Sequence, residues 1–182
     1  MTPEFVVEHL TNLPSTLFAS LTETVDLLEC VPGYAAIADR VVGIPFEDGR
    51  SADLCLAGVH VIAFSSRHGG EGVNLAFLIE LGGAKILVLS DGSFDFAPAE
   101  LVAAYGWPSL DIDVAIVPPL WVGTLEGTLL TQGIAPRFVI SGPLLWCPPF
   151  VTVPEGSSLP VFTCDRGETW ILLPPAPSSG DD

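Results

Sequence analysis

Residues 59–95 read VHVIAFSSRHGGEGVNLAFLIELGGAKILVLSDGSFD. Two apolar runs inside this stretch, 74–80 and 84–89, flank Leu81-Gly82-Gly83. A Gly-Gly tip reaches positive φ without steric cost, so the spacing predicts a β-hairpin. Both runs are nearly uninterrupted in apolar residues, the pattern of strands covered on both faces. Residues 59–64 form a further strand, preceded by 54–56 across an Ala57-Gly58 turn. Between them, 65–72 is polar and glycine-rich and reads as a loop, and Asp91 stands in a second polar loop after the strand 84–89.

Working outward, a helix is expected from Pro98, a residue suited to a first helical position, to Ala104. Strands follow at 114–117 and 137–140, with a helix at 125–132 between them, and 161–163 and 169–172 can close the fold as a hairpin. Towards the N-terminus, Ser20 three residues before Glu23 is a capping-box signal for a helix carrying Val25, Leu27 and Leu28, ended by Pro32-Gly33. A short helix at 34–38 leads into a strand at 41–44. The whole reads as α/β or α+β, a sheet with peripheral helices. One domain spans 1–173, and 174–182, rich in Pro, Ser, Gly and Asp, is a disordered tail.

Composition narrows the partners. The 182 residues carry 22 acidic and 6 basic side chains, for a net charge of −16. Phosphate backbones are bound by clustered Lys and Arg; here Lys85 is the sole lysine and the arginines are scattered, so neither nucleic acid nor an anionic membrane is an expected partner. No apolar stretch of membrane-spanning length occurs, and residues 1–10 lack the basic and apolar regions of a secretory signal, so the expected setting is the cytoplasm. Cys30, Cys55, Cys147 and Cys164 form no C-x-x-C pair and are expected to be free, mostly buried thiols. Charged residues are only 15% of a chain whose mean hydropathy is +0.54, which leaves little polar surface to keep a lone domain soluble.

Three histidines are available. His60 lies within a strand, sharing a face with Ile62 and Phe64, and reads as a half-buried structural residue. His9 stands beside Glu8 in an amphipathic stretch and reads as a surface residue. His68 differs, because it follows a strand and precedes Gly69-Gly70, where a ligand can approach the backbone. Asp91 reads either as a turn or cap carboxylate or as a site residue; a calcium loop is excluded, since its sixth and twelfth positions would be Phe96 and Val102. A serine hydrolase built on Ser65 or Ser66 with His68 and Asp91 lacks the G-x-S-x-G elbow, and no glycine-rich nucleotide loop is present. Asp111 and Asp113 are accounted for by an exposed strand edge.

Taken together, His68-Gly69-Gly70, Asn74-Leu75-Ala76-Phe77-Leu78-Ile79-Glu80, Gly82-Gly83-Ala84-Lys85-Ile86-Leu87, Asp91, and Asp111-Ile112-Asp113-Val114 through Val117-Pro118 resemble the later part of the metallo-β-lactamase-fold hydrolases, in particular their lactonase-like branch. The likeness is closest over 54–141. It implies an αβ/βα sandwich, and a reaction in which one or two metal ions, usually zinc, activate water. By position His68 matches the family's later histidine ligand and Asp91 its bridging aspartate. The family's H-x-H-x-D-H motif is absent, as is its final histidine, which would fall near Ser141-Gly142-Pro143; Ser90 replaces the glycine before the aspartate. The resemblance therefore implies a sandwich lacking its first strands and incomplete at the N-terminus.

The expectation that follows is a degenerate or truncated hydrolase homologue with no tightly bound metal, existing as a homo-oligomer or covered by a partner chain over its apolar sheet. The alternative is an active hydrolase of a small ester, lactone or phosphoester, using zinc or manganese held by His68, Asp91 and further ligands.

Overall fold

The computed structural model describes residues 2–47, 49–68, 72–89, 103–117, 132–141 and 161–163, with side chains for all of these except 67, 68, 141 and 161–163. The chain opens with a helix, α1 (Pro3–Asn12), which the sequence shows only as an amphipathic stretch. Its start is well specified: the Thr2 hydroxyl accepts from Phe5 N at 3.4 Å, Pro3 sits in the first turn, and Glu4 faces the positive end of the helix dipole. Val6, Val7 and Leu10 are buried along one face.

β1 (Phe18–Leu21) and β2 (Val41–Ile44) pair in parallel through α2 (Thr22–Glu29) and two short 3₁₀ turns, Tyr34–Ala36 and Ala38–Arg40. This crossover corrects two expectations. Ser20 caps nothing: it is drawn into β1 opposite Gly43, and α2 starts after Leu21 with no side-chain cap. The single helix over 34–38 is instead two 3₁₀ turns that break at Ile37, whose side chain is wholly buried against Val7, Leu10 and Leu28. Gly43 lets the helix lie close to the strand, since a Cβ there would stand 3.4 Å from Thr22 Cα and 3.6 Å from Val25 Cγ2.

The main body is a seven-stranded mixed sheet in the order β3 (Ser51–Leu56), β4 (Val59–His68), β5 (Gly72–Leu81), β6 (Ala84–Val88), β7 (Val114–Val117), β8 (Phe138–Ser141) and β9 (Val161–Thr163). The first four strands are an antiparallel meander; the rest add in parallel. Gly82 and Gly83 both have positive φ, as do Ala57 and Gly58, so both predicted hairpin tips are two-residue turns of the type that matches strand twist.

The expected loop over 65–72 is mostly strand. Ser65↔Leu75, Ser66↔Asn74, Arg67↔Val73 and His68↔Gly72 continue the ladder. Ser65 and Ser66 are buried, and the Ser65 hydroxyl accepts from Glu47 N at 3.0 Å, so a polar residue enters the strand without an unmet bond there. β9 also departs from expectation: it pairs in parallel with β8, and its proposed partner at 169–172 lies outside the described residues, as do most of the helices expected at 98–104 and 125–132.

Two cores flank the sheet. Phe64, Ala76, Leu78, Leu87, Leu89, Ala115, Val117 and Val139 pack on one face against Trp107, Ile112 and Ile134. On the other, Ala63, Leu75, Phe77, Ala52 and Leu54 meet Ala19, Leu21 and Ile44 from the β1–β2 layer. A smaller sheet thus stacks on a larger one, a mixed α/β architecture consistent with the sandwich class that the sequence suggests. Cys30 and Cys55 are free but exposed, against the expectation of buried thiols; Cys147 and Cys164 lie outside the described residues.

Candidate functional site

Strand direction decides where a site can form. β4 and β6 are each antiparallel to β5, and β6, β7, β8 and β9 are parallel, so five strands point the same way. Their carboxyl ends, His68, Val88, Val117, Ser141 and Thr163, share one edge of the sheet. In open α/β sheets ligands gather at such an edge. Beneath it the body is sealed by aromatic side chains: Phe64 lies 5.0 Å from Tyr105 and 5.8 Å from Trp107, and Tyr105 stacks on Trp107 at 5.5 Å. The Tyr105 hydroxyl donates to the Ser65 carbonyl, fixing this cluster to β4 two residues before Arg67. The Trp107 indole N–H is buried with no hydrogen-bond partner among the described residues.

The structure places His68 as the last residue of β4, its backbone paired with Gly72. The β4–β5 ribbon runs on past the last β5–β6 pair, Phe77↔Val88, so His68 stands beyond the level at which β6 ends. Asp91 lies outside the described residues; Leu89, two residues before it, is buried at the same edge, its N–H bonded to the Ile116 carbonyl at 3.0 Å. Of the sequence-predicted pair, the structure thus puts His68 at this edge, and Asp91 is outside the described residues.

The other two histidines are committed elsewhere. His9 is on α1, its ring stacked on Phe5 at 5.7 Å. His60 is eight positions before His68 on a continuous strand, about 26 Å away at 3.3 Å per residue. There it is held between two carboxylates: Nδ1 lies 2.8 Å from Glu80 Oε2, and Nε2 is in hydrogen-bond contact with Asp53 Oδ1. The hydrogen bond to Glu80 and then that to Asp53 raise its pKa above the ordinary 6.5. The half-buried reading of His60 gives way to an exposed cross-strand bridge, because β3 is the edge strand among the described residues and the His60 side chain there is 44% exposed.

His60 opens a row of alternating charge at the edge opposite the carboxyl ends. Glu80 pairs in register with Lys85; Lys85 N donates to Asp113 Oδ2 at 2.9 Å; Asp113 Oδ1 meets Arg137 Nη1 at 3.0 Å. Lys85 Nζ donates to the Leu110 carbonyl at 2.9 Å. Sequence reasoning took Asp113 for an exposed edge residue and missed this row, because its members lie on separate strands and only the register aligns them. Asp113 is a structural carboxylate, tying the segments before β7 and β8 to β6.

A zinc centre with three protein ligands and a water is what the resemblance implies. Among the described residues no group of three or more His, Cys, Asp and Glu side chains could hold a metal ion. His60 cannot begin one, since both ring nitrogens are taken and its two carboxylates lie on opposite sides of the ring. The described residues do not fit that centre. No described helix is long and apolar enough to cross a membrane.

No family model matches the chain, and no curated protein does. Solved structures do. One is a Thermotoga maritima protein assigned as a Zn-dependent hydrolase of the metallo-β-lactamase superfamily: 19% identity, TM-score 0.41, covering 68% of this chain and 75% of that one. Another is the E377D mutant of the β-hydroxylase CmlA, with 11% identity and a TM-score of 0.44, covering 68% of this chain but only 28% of its own.

Proposed function

We propose that this chain is a degenerate hydrolase-like domain of the metallo-β-lactamase type that, on its own, holds no catalytic metal tightly and serves in binding. The family reading rests on the residues quoted for the resemblance. One observation carries the rest: only one of three histidines stands at the carboxyl edge, since His9 is packed on α1 and His60 is locked between carboxylates at the far end of β4. One imidazole and one carboxylate leave most of a zinc shell to water, short of the three protein ligands of a catalytic site.

The apolar face supports a second element of the reading. Ile79, Ile86, Val88, Ile116, Phe138 and Ile140 are all half-buried, and their alternation along the strands puts them on one side of the sheet. In the proposal a second copy or a partner chain covers this side.

The alternative, an active hydrolase of a small ester, lactone or phosphoester, draws on the fact that His68 and the segment leading to Asp91 border the same edge. A turnover assay on these three substrate classes, with zinc or manganese added, separates the two. The first reading expects the same rate from the native chain and the His68→Ala/Asp91→Ala variant. Metal-dependent turnover that the double variant loses would establish the alternative.

A further inference from the structure

The His60 bridge does more than fill a strand face. β3 is the edge strand of the large sheet among the described residues. Among the described residues it is held by ladder bonds to β4, the packing of Ala52 and Leu54 against the β1–β2 layer, and, on the opposite face, the Asp53–His60 contact. We propose that His60 is a proton-operated clasp that fastens edge strand β3 to the β4–β5 ribbon and, through β3, steadies the docking of the β1–β2 layer.

The chemistry is that of an imidazole with two acceptors. Both ring nitrogens can donate only when the ring carries its second proton. The titratable and charged groups facing it are Asp53 and the cross-strand neighbour Cys55 on β3, and Glu80 on β5 with Lys85 beyond it on β6. A neutral ring has one N–H and turns a lone pair on the other carboxylate. Glu80 is the partner it keeps, because Glu80 is half-buried whereas the Asp53 side chain is 74% exposed and readily hydrated. Loss of the proton therefore frees β3 rather than β5. The sign follows from the raised pKa: the fastening is complete below pH 6.5 and is lost as pH rises through the higher folded-state value.

The test is NMR on the full chain between pH 5 and 9, following the His60 ring and amide exchange in β3 relative to β7 in the same samples, so that intrinsic exchange cancels. The expected result is a His60 titration above 6.5 and a β3-to-β7 protection ratio that falls about two- to fivefold across it, the size an exposed ion pair carries. In Asp53→Asn the titration should move down and the ratio should become flat with pH. His60→Gln should be flat at the high-pH level. A native His60 titrating at or below 6.5, or a native ratio that does not change through the titration, overturns the clasp.

Discussion

Single residues carry strain and clearance that can be tested one at a time. Ala57 holds φ +51° at the tip of the β3–β4 turn, a conformation costly for an L side chain but natural to Asn. Ala57→Asn should raise stability by about 0.5–1 kcal/mol, read as a higher urea midpoint at unchanged slope. Gly43 has room for one carbon but not for branches: Gly43→Ala should be close to neutral, whereas Gly43→Val pushes into the α2 backbone near Thr22 and should cost about 1–3 kcal/mol. At this scale the sequence was readable where a residue's own backbone preference decided the matter. Gly82-Gly83 announced its turn. Ser20 misled, because its backbone is held in β1 opposite Gly43 and α2 begins only after Leu21.

Elements are joined by groups whose partnership no linear pattern displays. Asp113 is the example: its two oxygens take Lys85 N and Arg137, linking segments 28 and 24 residues away across the sheet. Its side chain is only 22% exposed, so Asp113→Ala leaves a backbone donor and a guanidinium without their acceptor. The expected loss is about 1–2 kcal/mol, and Arg137→Ala should cost less, since Arg137 is mostly exposed. A denaturation series on the two single variants and the double variant gives the coupling. The same reasoning explains the extended β4. Ser65, Ser66 and Arg67 look like loop residues in sequence, but burial and the Glu47 bond make the first two acceptable strand residues. Near-continuous apolar runs bounded by turn residues revealed β5, β6 and β7; hydropathy could not reveal α1, whose Thr2-Pro3-Glu4 start is specified by capping and dipole effects.

For the whole molecule, the two-layer arrangement and the carboxyl edge follow from strand direction, while the chemistry of that edge depends on how many donors reach it. The half-buried face of β5–β8 predicts self-association or partner binding: sedimentation across a concentration series should show a dimer or larger species, and Ile86→Lys with Ile116→Lys should shift the chain toward monomer while keeping its helical and strand signal. A native chain that stays monomeric at every concentration would remove the homo-oligomer from the proposal. The central claim concerns the donor count at the opposite side of the molecule from His60. Equilibrium dialysis against buffered free zinc at about 1 µM, where half-occupancy corresponds to about −8 kcal/mol, tests it most directly. The account predicts far less than one zinc per chain, unchanged in His68→Ala; retention near one per chain, lost in that variant, would contradict it.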